Sequence, residues 1–412
     1  MAYRVIRKKT YYHFFPFVVL YFFANNFLLP HGLLYTAILS PFFFYWLYKK
    51  HALPMFFKWG VLLLIPIPFH LATGVDLKTY IISTLLILTV WIFLFTAIQA
   101  VKELKGHLAD MFHKILVINA VLIVIALITL PFPSINKVMW DHTPISPGIP
   151  SFPRLMLLGY EPSHYGLLMA PVFIYFLLKM ILGKSSHPLI VTAGIAIPLM
   201  LSLSFGIIGG IFLAMVIGLV WHYKNIPPSS KSVLFKLMIL SVIILILIGL
   251  LWPSNPVFER IINIFQGTDT SAEARLSDSF MFATDLIQEF NIWTGVGPGQ
   301  VKVLAPDFID RHYDHTGDLP EVFRIPNTMA EMLAVYGIYG FTLKILIQLY
   351  FFFRLKIHKN LYSLTLFAFI FIYQFTGSFL TNVAEVGIWV IVFTARFSIF
   401  EMKPEQKNDW SE

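Results

Sequence analysis

Stretches of about 20 mostly apolar residues recur along this chain from end to end, and they constrain its fold more than any other feature. A segment inside a bilayer must satisfy its own backbone polar groups, so such runs read as membrane helices. Counting them gives about twelve spans, near residues 12–29, 31–48, 54–72, 79–100, 115–132, 164–182, 187–204, 205–222, 233–252, 328–350, 360–379 and 382–400. The apolar run between His187 and His222 is too long for one helix to fit the bilayer, and it divides near Ser202–Ser204. Charged residues make up only 13% of the chain, against roughly 25% in a soluble domain. The fold class is therefore an all-α polytopic membrane protein, one membrane-embedded domain over residues 1–412. A water-soluble enzyme, a disordered chain and a nucleic-acid-binding domain are excluded. The net charge of +8 does not reopen the last of these, because the basic residues are scattered among apolar runs. Without cysteine there is no disulfide, thiolate metal site or cysteine nucleophile.

Lys and Arg set the expected orientation. Arg4, Arg7, Lys8 and Lys9 precede the first span, and later clusters sit at Lys49-Lys50, Lys102/Lys105/Lys114, Lys224/Lys231/Lys236 and Arg354/Lys356/Lys359. Twelve spans place all of these on one side, expected to be the cytoplasm, with both termini there. Lys78, Lys137, Arg154, Arg260, Arg275, Lys302, Arg311 and Arg324 fall outside. The first apolar run lacks a small-residue cleavage site, so a removable signal peptide is not expected.

Two external stretches interrupt the pattern: a shorter loop over residues 133–163 and a large one over residues 253–327. A connection as long as the second is usually functional or partly helical, so function is expected on the outer face. Within it, residues 256–265 read as a helix lying on the membrane surface. Thr270-Ser-Ala-Glu273 fits a capping box, and the helix it opens carries a stripe of Leu276, Phe280, Ala283, Ile287 and Phe290. The glycine run from Gly295 to Gly299 ends that helix; no strand precedes it, so it is no dinucleotide fingerprint. The carboxylates and two histidines of Asp307 to Asp318 could hold a divalent cation, but their spacing matches no known ligand motif, and the segment reads first as a hydrated loop.

Ionisable groups at the membrane boundary are costly and tend to be functional. Arg154 and Glu161 are such a pair, although an ion pair between them would also staple the loop. Glu331 and Glu385 are read as solvated helix ends, and Lys344 and Arg396 as side chains reaching the inner headgroups. Asn25, Asn26 and Gln374 are read as interhelical hydrogen-bonding residues.

Four segments in order then resemble a known family. They are Arg154…Gly159-Tyr-Glu-Pro-Ser163, Ser202-Leu-Ser-Phe-Gly206, Arg275 followed by Gly295-Val-Gly297, and Asn327…Glu331…Tyr336-Gly-Ile-Tyr-Gly340. Together they resemble the O-antigen polymerase and O-antigen ligase superfamily over roughly residues 150–345. The resemblance implies a C-type glycosyltransferase fold with a large helical periplasmic loop, in the bacterial inner membrane, with its active site on the periplasmic face. It implies cofactor-free, metal-independent transfer of a glycan from undecaprenyl diphosphate to an acceptor hydroxyl. Partners would be the lipid-linked oligosaccharide, the bilayer and a chain-length regulator protein. Carried over by position, Arg154 and Arg275, with Arg324 as a third, would grip the diphosphate. Glu161 is the first choice of general base, followed by His312, His315 and Asp310. Asn327, Glu331, Gly295 and Gly297 belong to the motif itself. Ligases carry a His just before the motif Asn, where this chain has Pro326. A repeat-unit polymerase is thus the first expectation, a ligase onto lipid A core the second, and a lipid-linked sugar transporter a third of another class.

Overall fold

The computed structural model describes residues 2–30, 33–104, 106–143, 153–232, 250, 262–263, 266–267, 269–312 and 323–401. In chain order its helices are α1 (Ala2–Phe23), α2 (Tyr35–Ile38), α3 (Ser40–Lys49), α4 (Leu53–Leu64), α5 (Ile67–Ala72), α6 (Leu77–Leu104), α7 (Leu108–Thr129), α8 (Pro133–Asn136), α9 (Pro162–Ile181), α10 (Pro188–Ser202) and α11 (Phe205–Trp221). After these come α12 (Ser279–Glu289), α13 (Gln300–His312), α14 (Thr328–Arg354), α15 (Leu361–Tyr373) and α16 (Val383–Thr394). A two-residue antiparallel ribbon, β1 (Trp140–Asp141) with β2 (Arg154–Leu155), lies in the shorter loop.

Five helices among the described residues are long and apolar enough to cross a membrane: Leu53–Ala72, Leu77–Leu104, Leu108–Thr129, Pro162–Ile181 and Thr328–Arg354. Five shorter apolar helices of 10–17 residues accompany them. All ten coincide with runs expected from the sequence. Of the remaining two, 31–48 is split into α2 and α3, and 233–252 lies outside the described residues apart from Leu250. The surface-helix reading of 256–265 falls almost wholly outside them too. The division at Ser202–Ser204 is real: Leu203 adopts φ 46°, ending α10, and Ser204 precedes α11.

One helix is central. In α9, 83% of the apolar window is buried, against 17% in the α4–α5 span, and it packs against α7, α10, α11, α15 and α16. Its core includes Phe173, Phe112, Tyr362 and Phe400. A second cluster joins α12, α13 and α14 through Phe282, Phe308 and Ala334, and a third joins α3, α4 and α6 through Leu47, Phe56 and Phe95. Outward-facing Leu64, Ile82, Val124, Ile128, Phe212 and Phe353 are exposed. An apolar surface of that extent suits hydrocarbon and not water.

The helix α14 is broken within its length. Gly337 takes φ 60°, ψ −161°, which frees backbone groups in a membrane-length helix. The segment 292–297 binds them instead. Val296 N–H donates to the Ala334 carbonyl at 2.9 Å and Gly297 N–H to that of Val335 at 2.9 Å. Ile338 and Tyr339 N–H donate to the carbonyls of Ile292 and Trp293, each at 3.0 Å. Irregular backbone at such a place persists only where protein satisfies it. The glycines of the motif are the reason the two strands of backbone can approach: Gly295 has φ +72°, and a Cβ there would lie 2.6 Å from the Gly337 nitrogen.

Four expectations need correction. Glu385 is no solvated end: it is buried, accepting from Thr328 Oγ1 at 2.6 Å and pairing with Lys344 Nζ at 2.9 Å. That same pair keeps Lys344 from reaching the headgroups. Glu331 is likewise turned inward, its carboxylate accepting the Leu380 N–H at 2.6 Å. Finally, residues 307–312 form the last turns of α13 and not a hydrated loop. Gln374, in contrast, does bond between helices, exchanging amide hydrogen bonds with Gln348 at 2.9 and 3.0 Å.

Candidate functional site

A cavity of about 300 Å³ opens where α6, the start of α9 and the 375–383 connection meet the chain entering α14. Each wall has a local cause. Pro162 is at the first position of α9, where its missing N–H is harmless. That fixes Glu161 as the N-cap residue, extended at φ −157°, ψ 156°, with no side-chain capping bond. Its carboxylate therefore lies in the cavity wall, beside a helix N-terminus that favours negative charge. Ser163 Oγ donates a hydrogen bond to it.

Arg275 arrives by a different device. Asp269 Oδ1 accepts the Ala272 N–H at 2.9 Å and starts the helix at Thr270. Residues Ala274–Asp278 then form a π-helical turn before α12. The buried face of α12 is Phe282, Ala283, Leu286 and Ile287, so Ala283 and Ile287 of the expected stripe are buried, while Leu276 and Phe290 are exposed. The Arg275 carbonyl, released by the turn, accepts from Asn327 Nδ2 at 2.7 Å.

Asn327 is a junction. Its Oδ1 accepts the N–H groups of Met329 and Ala330, each at 3.0 Å, and so caps α14. Its Nδ2 also donates to the Phe375 carbonyl at 2.6 Å. Replacing Asn327 with alanine removes the cap and strands two carbonyls. It is expected to destabilise the protein by roughly 2–4 kcal/mol, read as a lowered unfolding midpoint in detergent. Asn327→Asp keeps the acceptor and loses the donors, so it should fall between the two.

Arg324 lies against the Phe379 ring at 5.6 Å and lines both this cavity and a smaller one of about 60 Å³ with Lys302 and Glu331. Among the described residues, no carboxylate is within ion-pair distance of Arg275, Arg324 or Lys302. The Lys302 ammonium is held below its usual range by burial and then by the Arg324 charge, with Glu331 opposing. Cations gathered without a contacting counter-ion suit an anionic ligand.

The sequence did not single out His164, Tyr160 or Tyr373. All three line the cavity. His164 Nδ1 is 3.2 Å from the Tyr160 hydroxyl, with ring centroids 4.4 Å apart. Burial, then Glu161 and Tyr373, pushes the Tyr160 phenol well above its usual range, with Arg324 opposing. The one available signal for His164 was its place directly after Glu-Pro-Ser.

The cavity thus joins Glu161, Arg275 and Arg324 from the expected set, with Glu331 beside it and Asn327 beneath it. It does not include the others. Arg154 is held on the ribbon, paired with Asp141 and 3.1 Å from Thr143 Oγ1, and not with Glu161. Asp310 is exposed, and His312 stacks on Phe308 at 4.3 Å and faces Glu289 at 3.5 Å, on the far end of α13. His315 lies outside the described residues. Gly295 and Gly297 serve the broken helix, not the cavity wall. Among the described residues no three metal-ligating side chains converge. The sequence matches no known protein family and no curated protein.

Proposed function

We propose that this chain is a membrane glycosyltransferase that polymerises polysaccharide repeat units. The growing glycan on undecaprenyl diphosphate is the donor, and the non-reducing-end hydroxyl of an incoming lipid-linked repeat is the acceptor. The reading takes the fold as C-type glycosyltransferase-like with about twelve spans, in the bacterial inner membrane, with termini in the cytoplasm and the cavity on the periplasmic face. One observation carries it: Arg275, Arg324 and the Glu161–His164 turn come from three separate segments of the chain and meet in a single cavity.

The chemistry follows from those groups. The acceptor oxygen attacks the anomeric carbon, and the bond to the diphosphate oxygen breaks. Charge builds on the diphosphate, where fixed arginines in a low-dielectric pocket stabilise it most. Positive charge builds on the sugar ring, which a carboxylate such as Glu161 stabilises. One displacement inverts the anomeric centre. The apolar walls at Leu86, Val90 and Leu167 suit the first part of a polyprenyl tail. Mid-span charges are few, and Lys344 and Glu385 neutralise each other, which favours chemistry over transport.

The test is a transfer assay on the purified protein in nanodiscs with a lipid-linked repeat from its own host. A ladder of longer lipid-linked glycans is expected, unchanged by EDTA. Loss of the ladder in EDTA would overturn the metal-independent mechanism. Transfer only after lipid A core is added would make it a ligase. No product from a folded sample would remove the glycosyltransferase reading.

A further inference from the structure

We infer that the cavity contains a subsite for the acceptor sugar hydroxyl, formed by His164 and Ser378, and that His164 Nε2 takes that hydroxyl's proton. The inference rests on the transfer reading above and assigns its base.

Two polar atoms in the cavity wall are buried and have no hydrogen-bond partner among the described residues: His164 Nε2 and Ser378 Oγ. His164 is only 2% exposed. Buried polar groups are almost always partnered, so two orphans in one wall point to a ligand that completes them. The ligand must bring a donor to an imidazole nitrogen and an acceptor or donor to a serine hydroxyl. An alcohol does both, and a sugar end presents several. The charges of Arg275 and Arg324 in the same cavity exclude a cationic ligand.

The far side of the imidazole sets its tautomer. Tyr160 stays a neutral phenol, for the reasons given above, and its oxygen sits 3.2 Å from Nδ1. With Nδ1–H donating to that oxygen, the Nε2 lone pair faces the cavity. Glu161 is the competing base, but Ser163 already donates to one of its oxygens. In the transfer step the acceptor O–H proton passes to Nε2 as the new C–O bond forms. The electron pair of the broken C–O bond leaves with undecaprenyl diphosphate. His164 then returns the proton to solvent or to the departing diphosphate.

The experiment uses the ladder assay, with the wild-type protein as reference. His164→Gln is expected to lower kcat by about 10²–10⁴-fold, with KM for the lipid-linked repeat changed only about threefold. His164→Ala should recover part of its rate when imidazole is added. A His164→Gln protein with near wild-type kcat, the result if water fills the subsite, overturns the inference. So does a rate loss that appears only in KM. Should the His164 variants not fold, Tyr160→Phe decides: a fall in kcat with binding kept supports the assigned tautomer, and an unchanged kcat refutes it. A missing wild-type ladder sinks the transfer reading itself, whereas a ladder with an indifferent His164 sinks this assignment alone.

Discussion

Replacing Arg275 with alanine is expected to slow glycan transfer by about 10²–10³-fold, and Arg324→Ala by a similar factor, because each removes fixed charge from the leaving diphosphate. Neither guanidinium neutralises a contacting carboxylate among the described residues. Removing either one therefore breaks no ion pair among the described residues, and the fold should survive. Lysine at either position keeps a charge but not the bidentate geometry, so it should restore only part of the rate. The double variant should lose less than the product of the two single losses, since both act on one leaving group. Initial rates of ladder extension measure all of this. Activity near wild type in Arg275→Ala would mean that the diphosphate binds elsewhere, and Arg154 on its ribbon would become the next residue to test.

A second substitution should strike at folding and not at chemistry. Gly295→Ala puts a Cβ 2.6 Å from the Gly337 nitrogen, at a backbone φ of +72°. The strained conformation alone costs on the order of 1–3 kcal/mol, and the collision is with backbone, which cannot rotate away. Separating the strands would break the four hydrogen bonds that satisfy the gap in α14. Gly337→Ala meets the same obstacle from the other side, 2.6 Å from the Gly295 nitrogen. Both should yield little monodisperse protein and a sharply lowered unfolding midpoint. Gly209→Ala is the control: it is helical, with nothing within 4 Å of its added Cβ, and should be neutral or slightly stabilising. Equal behaviour of Gly295→Ala and Gly209→Ala would disprove the role given to the docked segment.

The spans are legible in the sequence because burial in lipid needs only length and apolarity, both local properties of the chain. The break at Leu203 shows for the same reason, since one uninterrupted helix would overshoot the bilayer. The buried face of α12 is legible only in part: Ala283 and Ile287 of the expected stripe are buried, and Phe280 packs beside them. A π-turn adds one residue to a helical period, and nothing in Ala274–Asp278 announces it, so the stripe also takes in Leu276 and Phe290, which are exposed, and misses Phe282 and Leu286, which are buried. Partners far apart in the chain are hidden as well. Glu385 looks solvated until Lys344 is placed beside it, and Arg154 looks available until β1 brings Asp141 against it. The motif residues divide by role in a way that spacing does not encode. Arg275 and Glu161 face the cavity, Asn327 fastens Arg275 to α14, and the glycines close the broken helix.

The Lys344–Glu385 pair also bears on how the protein is made. The two residues are 41 positions apart, so α14 emerges from the ribosome before its counter-charge exists. At about 5–20 residues per second the interval is roughly 2–8 s. A lone lysine in mid-helix opposes insertion by about 2.5–3.5 kcal/mol. During synthesis α14 would therefore gain by staying at the insertion machinery until α16 arrives, so that the last three helices settle in the bilayer with the pair already made.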